Sequence, residues 1–231
     1  MISFIIPAHD EERLLGATLA ALKTAAAAHS LDYEIIVVDD ASTDRTAEVA
    51  KAGDALVIPV TLRKISAVRN AGAAAARGER FIFVDADSLV SPALLGAALR
   101  ALDEGAVGGG ARLAWEGHIP PWSRPMVWLT DWVMRTANLG AGCFMFATRT
   151  AFEAVGGFDE HLYVTEEITL SIALKRHGRF VLLREPIVTS GRKLRTYSPL
   201  ELARVLRGGL IAGRRNPEYL NLWYGKRRNE K

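Results

Sequence analysis

Short apolar runs that end in carboxylates recur along the first half of this chain. Ser3–Ile6, Glu34–Val38, Ala55–Ile58, Arg80–Val84 and Val107–Leu113 are apolar stretches of strand length. Between them, Glu11–Ala28, Asp44–Lys51, Ile65–Arg77 and Pro92–Asp103 carry helical patterning. An apolar run of a few residues bounded by turn signals reads as a buried strand, and a 3.6-residue apolar period reads as a helix. Their alternation predicts a mostly parallel sheet with helices on both faces. Ser91-Pro92 is a helix start, with serine at the cap and proline at the first helical position. Ser42, Thr43 and Asp44 offer oxygens to cap the second helix. The alanine runs Ala25–Ala28 and Ala73–Ala76 favour helix and are not linkers.

After Leu113 the rhythm changes. Ile119-Pro-Pro-Trp122 is a turn, and Trp122, Met126, Leu129, Trp132 and Val133 then fall on one helical stripe reaching about Asn138. Core packing is the first expectation for that stripe; an exposed groove or membrane-facing surface is the other, since Trp and Met suit adaptable contacts. A strand at Phe144–Ala147, a short helix at Arg149–Val155, a break at Gly156-Gly157, a helix at Glu166–Arg176 and a strand at Phe180–Leu183 follow. A last amphipathic helix is expected from Pro199 to Ala212. With no repeat, heptad or low-complexity linker, one domain spanning 1–231 is expected. Residues 1–114 form one half, 115–193 a second half, and 194–231 a basic tail.

Composition narrows the class. The 231 residues are 49% hydrophobic and 24% charged, as in a globular protein with a full core. A net charge of +3 does not call for nucleic acid. The charge is uneven, however: from Arg192 to Lys231 there are eleven Lys and Arg against three Glu. Such a segment suits phosphates or an anionic lipid surface, and equally a solvated tail. The single cysteine, Cys143, excludes an intrachain disulfide and suits a reducing, cytoplasmic compartment, at most on the inner face of a membrane. Met1–Pro7 lacks a basic leader pattern, and no apolar run is long enough to span a bilayer. The five histidines show no zinc-ligand spacing.

The candidate chemistry sits where predicted strands end. Phe81–Val84 runs into Asp85-Ala-Asp87. Open α/β sheets bind ligands at the carboxyl ends of their strands. Two acids there repel unless a cation lies between them, and Mg²⁺ or Mn²⁺ takes oxygen ligands that it shares with phosphates. A metal–diphosphate site is therefore one reading of Asp85 and Asp87; an Asp-rich turn is the other. Ile35–Val38 likewise runs into Asp39-Asp40, and Asp39 is the better placed to accept from a base N–H or a ribose hydroxyl. The loop Pro7-Ala8-His9-Asp10-Glu11-Glu12 offers a clasp for base or ribose, unless its acids only favour a helix start. Lys64 and Arg69 sit at a basic helix start able to face diphosphate and Asp39, and Gly72 allows that helix to approach the sheet closely. Glu166 and Glu167 open a helix after Gly156-Gly-Phe-Asp-Glu160, and either can deprotonate a hydroxyl. Arg192 and Lys193, after a Gly turn, suit a departing diphosphate.

In this order, Ile-Ile-Pro-Ala-His-Asp-Glu-Glu, Val-Val-Asp-Asp-Ala-Ser-Thr-Asp, Ala-Val-Arg-Asn-Ala-Gly, Val-Asp-Ala-Asp and Gly-Gly-Phe-Asp-Glu resemble the family 2 glycosyltransferases of GT-A type, over about Ile2 to Leu183. The resemblance implies a Rossmann-like α/β sandwich and an inverting transfer of a sugar from a nucleoside diphosphate sugar to an acceptor hydroxyl; the Trp and Met content of 115–138 tolerates a lipid-linked acceptor and equally suits core packing. It implies nucleotide contacts from Pro7, Ala8, Glu12, Asp39, Arg69 and Asp85. It also implies a divalent metal on Asp85 and Asp87 and a general base after Gly-Gly-Phe-Asp-Glu. Glu166-Glu167 stands where the family has Glu-Asp, and register with Leu170-Ser171 puts Glu167 in the Asp place. The Gln-x-x-Arg-Trp motif and flanking membrane helices of processive members are missing, which argues against a polysaccharide synthase. A dehydrogenase would need Gly-x-Gly-x-x-Gly after its first strand, and a nucleotidyltransferase a Gly-rich basic loop; neither stands there. A catalytically silent sugar-nucleotide-binding or membrane-docking protein is the alternative.

Overall fold

In the computed structural model, residues 1–201 are described, apart from the Lys193 side chain. In chain order they form β1 (Ile2–Ala8), α1 (Leu15–Ala28), β2 (Tyr33–Asp40), α2 (Thr46–Ala52), β3 (Leu56–Val60) and α3 (Ile65–Ala75). There follow β4 (Arg80–Val84), β5 (Ser88–Leu89), α4 (Pro92–Asp103) and β6 (Gly108–Glu116). A 3₁₀ turn at Pro121–Ser123 leads into α5 (Arg124–Thr136), then β7 (Phe144–Thr148), α6 (Arg149–Ala154), α7 (Glu166–His177), β8 (Phe180–Ser190) and α8 (Arg192–Thr196). The helix expected over Pro199–Ala212 lies largely outside the described residues.

All eight strands join one sheet in the order β3-β2-β1-β4-β7-β6-β8-β5. The pairs β1–β2, β1–β4, β2–β3 and β6–β8 are parallel, whereas β7 is antiparallel to both β4 and β6. Inserting one reversed strand keeps β6 and β8 parallel to β1–β4. The carboxyl ends of β1, β2, β4, β6 and β8 therefore share one edge, and Asp39, Asp85 and Arg192 emerge along it.

Period-two alternation splits the core over two faces. Phe4, Ile6, Val37 and Val84 pack with Leu15, Leu19 and Leu22 of α1 and Leu94 and Leu95 of α4. Ile5, Ile36, Phe81 and Phe83 face Val68 of α3, Phe152 of α6 and Leu170 and Leu174 of α7. Phe83, Phe152 and Phe158 meet with ring centroids 5.0–5.7 Å apart, anchoring the Gly-Gly-Phe turn against β4. Ser91 caps α4 as expected, its hydroxyl accepting from the Leu94 N–H at 3.1 Å.

Four local differences have physical causes. Helix α1 starts at Leu15, because Glu11–Leu14 is a turn whose Leu14 and Leu15 N–H groups both return to the Glu11 carbonyl. At α2 it is the Asp44 carboxylate that takes the Thr46 N–H, while Ser42 and Thr43 bond to Asp10 instead. Strand β8 continues to Ser190, since a register shift absorbs Arg184 and Glu185 and lets Pro186 re-enter the ladder. Finally, the α5 stripe is not core: no residue of α5 is buried, and Trp128, Leu129, Trp132 and Val133 are exposed.

Gly72 does what its place in the motif suggests. A Cβ there would lie 2.4 Å from Ile5 Cγ2 and 2.9 Å from Val38 Cγ2. Gly72→Val should cost about 1–3 kcal/mol through overpacking. A melting temperature lowered by roughly 2–4 °C per kcal/mol in calorimetry checks this.

Candidate active site

The Asp85-Ala-Asp87 turn is held from three sides. The Asp85 N–H reaches the Cys143 carbonyl at 3.3 Å, and the Ser88 N–H returns to the Asp85 carbonyl at 3.1 Å. From α1, the buried Thr18 hydroxyl donates to the Ala86 carbonyl at 2.8 Å. From β8, the Ser190 N–H takes the Asp87 carbonyl at 3.1 Å, and the Ser88 and Thr189 hydroxyls meet at 3.0 Å. Both carboxyls remain partly accessible, with side-chain exposures of 24% for Asp85 and 15% for Asp87.

Arg69 joins this turn to the helix bearing the candidate base. It is 1% exposed. Its Nη2 donates to Asp85 Oδ1 and to the Gly142 carbonyl, each at 2.9 Å, while Nη1 donates to Glu166 Oε1 at 2.8 Å. The Phe158 ring lies 5.2 Å from its guanidinium carbon. Burial would lower the arginine's pKa, but Asp85, Glu166 and Glu167 outweigh it and raise the value, keeping the charge fixed. Arg69 is thus engaged by two carboxylates, and Asp39 is not among its hydrogen-bond partners.

The neighbouring Asn70 holds the Gly-Gly-Phe-Asp-Glu turn. Its amide donates to the Phe158 carbonyl at 2.9 Å and accepts from the Phe158 N–H at 3.0 Å, and it also reaches Glu160 Oε1 at 2.9 Å. Gly156 and Gly157 have φ of 80° and 70°, so the turn needs glycine at both positions. Lys64 adds a bond to the Glu160 carbonyl at 2.7 Å. Thr165, at φ 66°, then turns the chain into α7. Glu166 is buried and spent on Arg69; Glu167 is more accessible. Burial, then the adjacent Glu166 carboxyl, push Glu167 up to about 8, against the opposing pull of Arg69. A carboxyl tuned upward in this way is suited to proton transfer near neutral pH.

On the other flank, Glu11 is 5% exposed and forms a fork with Arg192, at 2.9 and 3.2 Å. The same guanidinium lies 3.7 Å from Asp87 Oδ2. Arg192 therefore straddles the first loop and the aspartate turn. The preceding loop is locked in place: His9 Nδ1 meets the Asp40 carbonyl at 2.8 Å and its Nε2 faces an Arg63 guanidinium nitrogen at 3.2 Å, partners that select the Nδ1–H tautomer. Ala8 pairs in register with Asp39 across β1 and β2. Asp39 Oδ1 accepts from the Ser42 N–H at 3.3 Å. Asp40 Oδ1 accepts from the Leu62 N–H at 2.7 Å, while its Oδ2 is buried without a partner among the described residues.

Of the sequence-derived candidates, Pro7, Ala8, Asp39, Asp85, Asp87, Glu166, Glu167 and Arg192 lie along one sheet edge. Glu12 points elsewhere: its carboxylate takes the Arg45 N–H and Nε at 3.2 and 3.3 Å, at the start of α2, and Glu11 turns inward instead. The Lys193 side chain is outside the described atoms. Asn70 and Thr18 were missed, and Glu11 stood only as one acid of the first loop. Asn70 follows Arg69 directly, so the Arg-Asn pair carried a signal; the choice between adjacent glutamates carried none.

A divalent cation was tested against the donor set. Among the described residues no group of three or more His, Cys, Asp or Glu gathers to hold a metal. Asp85 and Asp87 are hard oxygen donors, and among the described residues the carboxyls of Glu11, Asp85, Asp87 and Glu166 outnumber the guanidiniums paired with them, Arg69 and Arg192. That balance fits a hard cation whose coordination is completed by phosphate oxygens and water, not an all-protein cage.

The aspartate pair at the end of β4 thus lies beside the carboxyl-bearing start of α7. The sequence profile described as "Glycosyl transferase family 2" matches residues 3–152, and the chain belongs to that family. Validoxylamine A glucosyltransferase from Streptomyces hygroscopicus subsp. limoneus is 32% identical over 98 residues, 40% of this chain and 21% of that protein, so the match spans about a fifth of that relative. S. aureus TarS 1-349 in complex with UDP-GlcNAc superposes with a TM-score of 0.65 at 18% identity, covering 95% of this chain and 69% of that one. The mannosyltransferase PcManGT from Pyrobaculum calidifontis, in complex with GDP-Man and Mn²⁺, gives 0.65 at 18% identity over 97% of this chain and 68% of that one. These likenesses establish the GT-A fold.

Removing Arg69 strands the buried Glu166 carboxylate and leaves the partly accessible Asp85 without its cation. Arg69→Ala should destabilise the protein by about 3–5 kcal/mol, and Arg69→Lys, which keeps charge but not the fork, by less; denaturant titration orders the three proteins. Glu167 gives a pH signature. Its folded-state pKa lies above its unfolded value of 4.5, so its contribution is intact below that value and is lost as pH rises through about 8. Glu167→Gln should melt within error of the parent near pH 5. It should melt higher above pH 8, by a few degrees if ~1 kcal/mol is regained.

Proposed function

We propose that this chain is an inverting glycosyltransferase that uses a divalent metal and a nucleoside diphosphate sugar donor. The observation that supports the reading is the Arg69 fork, which ties the partly accessible Asp85 turn to Glu166, the sequence neighbour of Glu167. The ligands in the titles of the solved relatives, UDP-GlcNAc for one and GDP-Man with Mn²⁺ for another, support a sugar nucleotide as donor.

In this reading Pro7, Ala8 and Asp39 take the base and ribose, and Asp85 the ribose or diphosphate. Asp87 with Asp85 would hold Mg²⁺ or Mn²⁺, and such an ion would supply positive charge against the departing diphosphate. Arg192 meets the same phosphates from the other flank, and Lys193, its sequence neighbour, is assigned the same role. Glu167 serves as general base, because Glu166 is already fixed by Arg69. The acceptor O–H proton passes to the Glu167 carboxylate as the acceptor oxygen bonds to the anomeric carbon. The bond from that carbon to the diphosphate oxygen breaks with its electron pair leaving on the nucleoside diphosphate. Attack opposite the leaving group inverts the centre. The acceptor approaches from the 115–138 side, where a lipid-linked hydroxyl would find an apolar surface. The reading places the protein in the cytoplasm. Among the described residues no helix is long and apolar enough to cross a membrane.

A thermal-shift panel of sugar nucleotides with and without Mn²⁺ tests the donor. A ligand at 100 times its Kd adds about 2.7 kcal/mol of stability. Asp87→Ala should lose the metal-dependent part of the shift; retention of the full shift would defeat the metal assignment. Glu167→Gln should keep the donor shift and lose about 10²–10⁴-fold in turnover. In the parent protein, kcat/KM should rise with pH into the alkaline range, above the ordinary carboxylate range. Donor binding without transfer or hydrolysis in the unaltered protein would favour the silent alternative.

A further inference from the structure

Helix α5 contributes little to the core. Its inner stripe is only half-buried, through residues such as Met126 and Met134, and Met134 alone of its side chains packs on the main core. Its outer face presents Trp128 at 64% exposure, Leu129 at 53%, Trp132 at 48% and Val133 at 42%, with Trp122 of the preceding turn at 38%. Positions 128, 129, 132 and 133 recur at helical spacing, so the four side chains form one continuous strip. Two tryptophans on an otherwise aliphatic strip suit a boundary that is apolar on one side and wet on the other.

Charge around the strip selects the occupant. Asp131 is the sole acid of α5, and it is answered by Arg135 at 3.1 Å and Arg112 at 3.7 Å. Arg124 stands exposed at the start of the helix and Arg135 near its end. The basic segment begins next door: Arg195 donates to the Glu116 and His118 carbonyls at 2.9 and 3.4 Å, in the loop that feeds α5. From Arg192 onward the sequence holds eleven Lys and Arg against three Glu. A neighbouring apolar strip alone would suit a protein partner as well. An apolar strip carrying Trp, with its acid neutralised and a strongly cationic segment starting at its edge, matches the two attractions that hold a helix in a bilayer interface.

We propose that the outer face of α5 docks on an anionic lipid bilayer, with the helix lying in the surface and the exposed Arg124 and Arg135 near its two ends adding attraction to the headgroups. Docking is a property of this face and stands apart from the transfer reaction; its test is binding, not turnover. The full chain is sedimented with vesicles of phosphatidylcholine alone and of phosphatidylcholine mixed with phosphatidylglycerol, at low and at physiological salt. The full chain should bind the anionic vesicles several-fold more strongly than the neutral ones, with a blue shift of tryptophan emission. W128E/W132E should bind the anionic vesicles at least tenfold more weakly and lose the blue shift, while melting within a few degrees of the parent. If that variant folds poorly, L129Q/V133T supplies the same comparison without new charge. No binding of the full chain to anionic vesicles would overturn the proposal. So would binding that both substituted forms retain in full, which would leave the basic segment as the sole contact. A concentration-dependent dimer in sedimentation velocity that W128E/W132E abolishes would overturn it in favour of a second copy on the strip.

Discussion

A guanidinium buried between two carboxylates organises this protein. Arg69 reaches Asp85 on the aspartate turn and Glu166 on α7 at once, and the Gly142 carbonyl completes its third bond. Such a cation cannot be moved without stranding acids that have already lost their water. The aspartate turn, the start of β7 and the start of α7 therefore have a fixed spacing set by one planar group. Asn70, the next residue, fastens the Gly-Gly-Phe turn on the same side. One turn of α3 thus positions both candidate halves of the chemistry, and Gly72, one turn further on, seats that helix hard against β1 and β2.

With Arg69 fixing Glu166, the two adjacent glutamates become different groups. One is the ion-pair partner of Arg69. The other sits beside it in a poorly hydrated place and holds its proton more tightly. Environment, not residue type, separates their roles. On the opposite flank Arg192 answers Glu11 and approaches Asp87, so among the described residues each wall of the site carries an arginine.

Much of this was legible from residues alone, for a reason. Strand ends in an open α/β sheet are fixed by where an apolar run stops, so Asp39 and Asp85 announced their positions. Membership of the ordered motif set placed Arg69, Glu166 and Glu167 near them. What stayed hidden was direction. Arg69 looked like a cation facing phosphate and Asp39, and only the fold shows it sealed beneath Phe158 between Asp85 and Glu166. Which of Glu11 and Glu12 turns inward depends on Thr46, which takes the Glu11 N–H at 2.8 Å from another element. The stripe on α5 was visible, but amphipathicity tells which side is apolar, not what lies against it. The strand after Leu183 was hidden because Arg-Glu-Pro breaks the alternation that a bulge then absorbs.

The Glu11–Arg192 fork joins residues 181 positions apart in sequence. Closing so long a loop costs chain entropy before the contact returns any energy. During synthesis β1, β2 and β4 can assemble from the first ninety or so residues, roughly as domains build from their N-terminal side, yet the acids along their ends then face one another without Arg192. The emerging sheet would spend that interval with Arg69 as the cation on one wall and Glu11 still unanswered on the other. Completion of that second wall waits on delivery of its distal arginine.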